Sequence, residues 1–437
     1  MERSLEKKWV DLYLSNADMI GEGLPSPVNR ARAGALEQFN LLGIPAKGSG
    51  NGDRYHYTGL RELFDGEYEH YFTPSYAKVG IRPLDTEGEH LTLLNGFPAG
   101  GSARPLVRYP DGIVFGSLAA AAAEYPELVG TYYNTLCDGQ GDALSALNTV
   151  FAQDGVFLYV PRGVRAERPF VVTFGHYADG ERVCSFARSL FIFGEASRAQ
   201  VVIDNRSEGD GECLGCQVRE VFAGDGAQAD LVELFRLNGR SSVVSSAFAA
   251  QQDESRFHTL SVALGARLMR SNQHVRLMGP RAENHTNGLT LSSAGEHFDF
   301  STNIEHVSPD CTSYEHFKGI ASGDGTSVFA GRIYVAQDAQ RTQAYQQNNN
   351  LLLGADAHVY SKPQLEIYAD NVKCSHGATV GRLNAEAVYY MRQRGLSEHD
   401  ARKLQMFGFV NQVVEKIPVG ELTGMIESMA AAKIEEM

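Results

Sequence analysis

The chain has 437 residues, of which 43% are hydrophobic, and a formal net charge of −14. This length allows two or three domains, or one large domain with additions. The negative charge argues against nucleic acid or an anionic membrane as the main partner. No apolar run approaches the roughly 18 residues of a membrane span. We therefore expect no nucleic-acid partner and no membrane insertion.

The first residues, MERSLEKKWVDLY, lack the apolar core that a secretory signal requires. Six cysteines in a chain of this size do not indicate a disulfide framework. Together these features predict a cytoplasmic protein with reduced thiols.

Residues 1–150 are predicted to form a mostly helical domain. Ser26 is expected to cap a helix with Pro27 in its first turn, and this helix should end near Gly43. The glycine-rich stretch at 47–53 is a loop by composition and lacks the lysine of a phosphate-binding loop. No other segment matches GxxxxGKS or GxxxxGKT, so the chain is not expected to bind nucleotide.

Residues 151–383 consist of short strand-like runs, such as RPFVVTF and SLFIFG, separated by Gly, Asp, Asn and Ser. Similar segments begin at 194, 224, 323 and 354, which suggests a period of about 30 residues. The interval from 224 to 323 is then counted as three periods. Because helices between the strands are missing, this pattern favours a β-solenoid over a doubly wound fold. A β-sandwich with irregular loops is the alternative.

Residues 384–437 return to a helical pattern and are predicted to form three short helices. Asn384 opens the first helix, Ser397 and Asp400 have the spacing of a capping box, and Pro418 starts the third. The second helix is expected to bury one apolar face, made of Leu404, Phe407, Val410 and Val414. Such a unit would serve as a cap or as a docking module.

Two groups of cysteine and histidine residues fit a metal site poorly. Cys213 and Cys216 form a CxxC, but no second ligand pair accompanies them, so two loop thiols are the favoured interpretation. The second group matches no compact metal template, and most of its members are expected to be half-buried strand residues. This group contains His297, His306, Cys311 and His316.

Cys374 and His376 are the strongest candidates for chemistry. In a strand, residues i and i+2 point to the same face, so the thiol and the imidazole would stand side by side. Both suit iron or zinc. Two ligands cannot close a site, so further ligands would come from another coil or another chain, and a purely structural role remains the alternative.

Five segments of the chain resemble a known family. The most specific is KPQLEIYADNVKCSHGATVGRLNAEAVYYMRQRGL (362–396), and the others are LNTVFAQDGVFLYVPRGVRAERPFVV (147–172), YEHFKGI (314–320), GRIYVAQDAQRTQAYQQNNNLLL (331–353) and GIPAKGSGNGDRYHYTGL (43–60). On these segments the sequence resembles the SufB/SufD family of iron–sulfur cluster assembly proteins, strongly from residue 147 onward and more weakly near the N-terminus.

Two differences favour the SufD branch of the family. Ser375-His376-Gly377-Ala378-Thr379 stands where the SufB branch has a Glu-His-Glu-Ala-Thr type of sequence. The segment AYQQNNN also lacks the cluster-ligand cysteine of that branch.

The resemblance implies a right-handed parallel β-helix flanked by N-terminal and C-terminal helical domains. It also implies a non-catalytic scaffold that pairs with a SufB-like subunit through the β-helix ends and docks a SufC-like ATPase through its C-terminal helices. His376, with Cys374 beside it, would line a transient iron–sulfur cluster site shared with the partner, with His376 as a possible iron ligand. Flavin has no visible residue signature and stays open, and a homodimer stays open for the isolated chain.

Three other interpretations stay open. A SufB-like scaffold would bind the cluster itself, but the cysteine near 346 is missing. A β-helical carbohydrate-active enzyme would need clustered carboxylates or a calcium site and is typically exported. A structural β-solenoid binding module would leave CSHGAT without a chemical role.

Overall fold

The computed structural model describes residues 4–46, 54–70, 72, 81–99, 104–137 and 141–437. The loop predicted at 47–53 lies outside these residues. About 42% of the chain is strand and 25% is helix, arranged as a parallel β-solenoid of about eight turns with helices before and after it. The predictions of a mainly β fold and a parallel β-helix are confirmed, and the β-sandwich alternative is wrong.

Two ten-stranded sheets form the β-helix, and beyond residue 155 the chain alternates between them. Sheet one contains, in spatial order, β2 (Phe97–Pro98), β1 (Glu89–Leu94), β6 (Phe170–Tyr177), β8 (Arg198–Glu208), β10 (Gln228–Arg236), β12 (Arg256–Gly265), β14 (Glu283–Ser292), β16 (Thr312–Ala321), β18 (Gln343–Leu352) and β20 (Lys373–Gly381). Sheet two contains β3 (Leu106–Arg108), β4 (Val114–Ser117), β5 (Gly155–Val160), β7 (Arg182–Phe193), β9 (Glu212–Ala223), β11 (Ser242–Gln251), β13 (Leu268–Leu277), β15 (His297–His306), β17 (Thr326–Val335) and β19 (His358–Ile367). Among the described strands, antiparallel pairing is confined to the start, at β1–β2 and β3–β4–β5.

The register gives the length of one coil. Gln228 pairs with Arg198 on one side and with Arg256 on the other, so each of these two intervals is one full coil. The predicted period is therefore confirmed. The predicted three-unit gap is wrong, because the segments at 194 and 224 precede strands of sheet one, whereas those at 323 and 354 precede strands of sheet two.

The main core fills the space between the two sheets. Successive side chains of a strand point to opposite faces, so every second residue faces this interior. Phe191, Val221, Ile304 and Ile333 of sheet two and Val201 of sheet one belong to this core and are all buried. Short runs of β-branched and aromatic residues fold as strands here because both faces of each sheet are covered along much of its length.

The N-terminal helices cover the outer face of sheet two. Leu214 packs in one core with residues of these helices, and Leu190 packs in a second such core. These helices are α1 (Ser4–Gly21), α2 (Ser26–Leu42), α3 (Arg61–Phe64), α4 (Leu118–Glu124), α5 (Pro126–Tyr132) and α6 (Ala143–Phe151). Helix α2 has the predicted length and ends at Gly43, whose φ of 68° suits glycine. Ser26 is its first helical residue and not its cap, since Pro25 occupies the N-cap position.

The C-terminal helices cover the outer face of sheet one. They are α7 (Ala385–Gln393), α8 (Glu398–Val414) and α9 (Thr423–Glu435), the last preceded by a 3-10 turn at Gly420–Leu422. Asn384 and Ser397 accept backbone N–H bonds as predicted caps. The predicted apolar face of α8 is partly wrong, because Leu404 is 50% exposed while Met406 and Val413 are buried. Among the helices of the described residues, none combines the length and the apolar character needed to cross a membrane.

Candidate functional site at the open end of the β-helix

Strand β20 is the last strand of sheet one, and it carries Cys374 and His376. Cys374 pairs in register with Ala344, and His376 pairs with Gln346. Ala344 belongs to the core between the sheets, and Cys374 packs against that core. Since residues i and i+2 share a face, both side chains lie on the inner side of the last strand, roughly 7 Å apart along it.

The two residues differ in exposure. Cys374 is half-buried, and burial raises the pKa of its thiol, an effect opposed by a hydrogen bond with the backbone of Ala344. His376 is exposed at the end of the solenoid. The imidazole is therefore accessible to solvent, whereas the thiol is partly covered.

A buried polar column continues inward from His376. Glu315, Gln346 and His376 occupy matching positions on three successive strands of sheet one. Gln346 donates its amide to Glu315 across 2.6 Å. Burial raises the pKa of Glu315 to about 7, although the hydrogen bond from Gln346 opposes this shift. Glu315 is not among the residues predicted from the sequence, although it lies inside the motif YEHFKGI.

The site has two donors on this chain. Within the described ranges, the one group of three or more histidine, cysteine or carboxylate side chains with metal-binding spacing lies elsewhere, at His258, Glu283 and His285. A tetrahedral metal site needs four ligands. Cys374 and His376 thus form an incomplete ligand set.

We call strands β19 and β20 the open end, because each is the last strand of its sheet. Nearly every residue of β20 is exposed. The opposite end differs, since antiparallel pairs close the sheets at β1–β2 and β3–β4. Large apolar or aromatic side chains on and near the open end are exposed, namely Tyr360, Ile367, Tyr368, Val380, Tyr389 and Tyr390. The open end combines strand edges at the limit of each sheet with exposed apolar surface.

The other predicted residues do not assemble into a site. Cys213 and Cys216 lie in β9 and not in a loop, and they point to opposite faces, because Cys216 belongs to the core under the N-terminal helices and Cys213 packs with Ala178 and Val183. Their placement rules out a shared metal ion.

The histidines and cysteine of the second group are also separated. His297 bonds with the Thr58 hydroxyl across 2.8 Å, and His306 bonds with the Ser313 hydroxyl across 2.8 Å. The Cys311 thiol donates to a backbone carbonyl. His316 lies on the outer face of sheet one, where burial lowers its pKa to about 4. The first three bond to separate partners, and the four side chains do not form one site.

We predict that Cys374 is the first thiol of the folded chain to react with iodoacetamide. The other five cysteines are buried, whereas Cys374 is half-buried. The thiolate is the reactive form. Because the pKa of Cys374 is raised, the pH of half-maximal reactivity lies above about 8.5, the pKa of a free cysteine. Peptide mass mapping after partial labelling at a series of neutral to alkaline pH values measures this order. The prediction fails if Cys374→Ser leaves the fast-labelling fraction unchanged.

The chain matches two models of one protein family. The model of the SUF system FeS cluster assembly SufBD core domain matches residues 176–409, and the model of the SufBD protein N-terminal region matches residues 3–172. An iron–sulfur cluster assembly SufBD family protein of Synechocystis is 28% identical over 92% of this chain and 90% of its own length.

Two relatives carry the name iron–sulfur cluster assembly protein SufD. The protein of Escherichia coli is 42% identical over 36% of this chain and 37% of its own length. The protein of Bacillus subtilis is 24% identical over 74% of each chain. With a family model matching more than half of its residues, the chain belongs to the SufBD family of iron–sulfur cluster assembly proteins, as a SufD-like member.

Proposed function

We propose that this chain is a non-catalytic scaffold subunit for iron–sulfur cluster assembly, and that its open end pairs with a SufB-like subunit. The observation that carries this proposal is the position of Cys374 and His376 on the inner face of the last strand, beside the edges of both sheets. The family match favours this role over a carbohydrate-active enzyme.

The open end suits a partner strand. An exposed sheet edge presents unpaired N–H and C=O groups and associates with another chain unless it is protected. Strand β20 pairs continuously with β18 from Lys373 to Gly381 and is the outermost strand of its sheet on the other side. A second β-helix would extend both sheets and cover the exposed side chains of Tyr360, Ile367 and Val380.

A partner at this edge would complete the ligand set. His376 is exposed toward the edge and Cys374 lies next to it. Thiolate and imidazole are both terminal ligands of iron in iron–sulfur clusters. The nascent cluster is cargo, and this chain would contribute one or two donors while the SufB-like subunit contributes the others. The SufB-like alternative, in which this chain binds the cluster alone, is less consistent with a set of two donors.

The C-terminal helices offer a second surface. Every residue of helix α7 is exposed or half-buried, and Tyr389, Leu396 and Leu404 of the α7–α8 region are exposed. A groove of about 570 Å³ lies between α7, the start of α8 and the last coil, and three arginines line it: Arg382, Arg392 and Arg402. We propose that a SufC-like ATPase docks on this surface.

The inner face of the same helices connects this surface to the β-helix. Val410 and Ile426 share a core with Leu260 and Leu289 of sheet one. Movement of a docked ATPase would therefore be transmitted through this apolar contact to the stiff sheet and on to the open end.

We predict that Leu404→Glu loses the ATPase but retains the SufB-like subunit. A charged group on an exposed apolar contact would lie desolvated and unpaired in the interface. Co-purification of the tagged chain with both partners measures the two associations separately. Point substitution is preferable to removing residues 384–437, because that deletion would uncover the apolar face of sheet one.

The matched control is Glu427→Gln, at an exposed position of α9 and therefore outside the α7–α8 region. Its complex should contain both partners. Normal recovery of the ATPase with Leu404→Glu would contradict docking on this face, and failure of the wild-type chain to recover either partner would contradict the proposed function.

A further inference from the structure

Three ligand-type side chains meet on the outer face of sheet one, far from the open end. His258 of β12 and His285 of β14 are direct register partners. Glu283 precedes His285 by two residues and so shares its face. Leu260 shares a strand face with His258, and Leu289 shares a strand face with His285. Both leucines pack under the C-terminal helices, so this is the outer face of sheet one.

The distances bring their donor atoms together. The His285 Nε2 and Glu283 Oε1 atoms are 2.7 Å apart. The two imidazole ring centroids are 4.3 Å apart. One donor atom from each of the three side chains lies within 4.8 Å of the other two. All three side chains are only partly exposed, at 27% for His258, 30% for His285 and 34% for Glu283.

We propose that His258, Glu283 and His285 bind a divalent first-row transition-metal ion, Zn²⁺ or Fe²⁺. We name these residues the metal triad. Two imidazoles and one carboxylate are the donor set of many catalytic zinc sites and of non-haem iron sites with open positions. Solvent molecules would supply the remaining ligands, since the triad is partly exposed.

Neighbouring residues support the three donors. The Asp230 carboxylate lies 3.6 Å from His258 Nδ1, the position from which a carboxylate orients a metal-bound imidazole. Arg256 donates to Glu283 Oε2 across 3.1 Å, which leaves Oε1 directed to the triad. The ion would replace the hydrogen bond that now joins Oε1 to His285.

An unsatisfied atom also marks the site. His258 Nε2 is buried and has no hydrogen-bond partner among the described residues. A buried ring nitrogen without a partner is unfavourable, since it has lost its bonds to water. Coordination to a metal ion at Nε2 would satisfy it. If the contact between the His258 and His285 rings were only structural, this atom would stay unpaired.

The triad is independent of the proposed function. Strand β14 is separated from β20 by β16 and β18, so three strand spacings place the triad roughly 14 Å from the open end. Removing Cys374 and His376 therefore leaves the triad intact, and the two proposals can fail separately.

Titration with Co²⁺ tests the proposal on the full-length Cys374→Ala/His376→Ala chain, first freed of metal by a chelator. We expect one Co²⁺ per chain, visible d–d absorption of a nitrogen–oxygen site, and displacement by Zn²⁺. Introducing both His258→Ala and His285→Ala into this chain should weaken Co²⁺ binding by at least about 100-fold. This is the upper end of the loss seen when residues that only orient metal ligands are replaced. Glu283→Gln, which keeps the side-chain shape, should weaken it by about 10-fold or more.

His90→Ala is the matched control, because His90 is a histidine outside the triad that bonds with the Thr86 carbonyl. It should bind Co²⁺ like the parent chain. Circular dichroism of each variant shows that the β-helix is intact. The proposal is overturned if the parent chain binds no Co²⁺ at millimolar concentration, or if the Glu283→Gln and double-histidine variants bind it as well as the parent does.

Discussion

Replacing Arg188 with alanine is expected to destabilise the protein by about 3–5 kcal/mol, the cost of leaving a buried charge without its partner. The Arg188 and Glu220 side chains are 1% and 0% exposed, and their nitrogen and oxygen atoms are 2.8 Å apart. Arg188 also donates to Thr149 of α6 and to Asn134. It therefore joins the N-terminal helical region to sheet two, and its loss leaves Glu220 buried without this charge partner.

The fluorescence of Trp9 measures this effect, since it is the single tryptophan and is buried where α1 meets Phe151 and Phe186. The midpoint of urea unfolding should fall strongly for Arg188→Ala. The control is Arg162→Ala, because Arg162 pairs with Glu195 at a similar 2.9 Å but both side chains are exposed. Such pairs contribute at most about 1 kcal/mol. Equal midpoints for the two variants would show that the buried pair does not hold the helices to the sheet.

Ala378→Pro is expected to weaken association with a SufB-like subunit by about 100-fold, or roughly 2.7 kcal/mol. Lys373 donates its backbone N–H to Thr342, on the side of β20 that faces β18. Because backbone groups alternate along a strand, the N–H of Ala378 points to the free edge. Proline removes that donor and places its ring where a partner strand would lie.

Ala378→Ser keeps the donor and is the matched control for this variant. Analytical ultracentrifugation of each chain with the SufB-like subunit gives the two dissociation constants, and the same experiment without the partner shows whether the open ends form a homodimer. Wild-type affinity for Ala378→Pro, with an unchanged thermal midpoint, would mean that the partner does not pair with the edge of β20.

Much of the fold follows from local patterns. Runs such as RPFVVTF and SLFIFG, separated by turn residues, predict strands without intervening helices. The spacing between the segments at 194 and 224 equals one coil of sheet one, from Arg198 to Gln228. The assignment of 323 and 354 to the same series failed, because a β-helix has two sheets and similar turns precede the strands of both. Local sequence does not distinguish the two sheets.

The candidate site was predictable in part. The i, i+2 spacing places Cys374 and His376 on one face, and Asn384 marks a helix start directly after β20, so the preceding strand must be the last. Leu404 was assigned to the wrong side of α8, because the periodicity of apolar residues in this helix does not indicate which helix face packs on sheet one. The structure shows that Met406 and Val413 lie there.

The register between coils brings together the site residues that were not predicted from the sequence. His258 and His285 are distant in the sequence and become neighbours because β12 and β14 are adjacent. Glu315 and His376 are linked through Gln346 in the same way. Polar residues that recur at a separation of one coil length would have indicated these contacts. Using that pattern requires the coil length at each strand.

Cluster formation on the assembled complex tests the central claim most directly. The chain is co-purified with its SufB-like and SufC-like partners, supplied anaerobically with iron and sulfide, and compared as wild type, His376→Ala and the control His90→Ala. We expect all three complexes to assemble, with iron content and iron–sulfur absorbance collapsing only in His376→Ala. Equal iron content and equal absorbance in the His376→Ala complex would contradict a role for the open end in building the cluster.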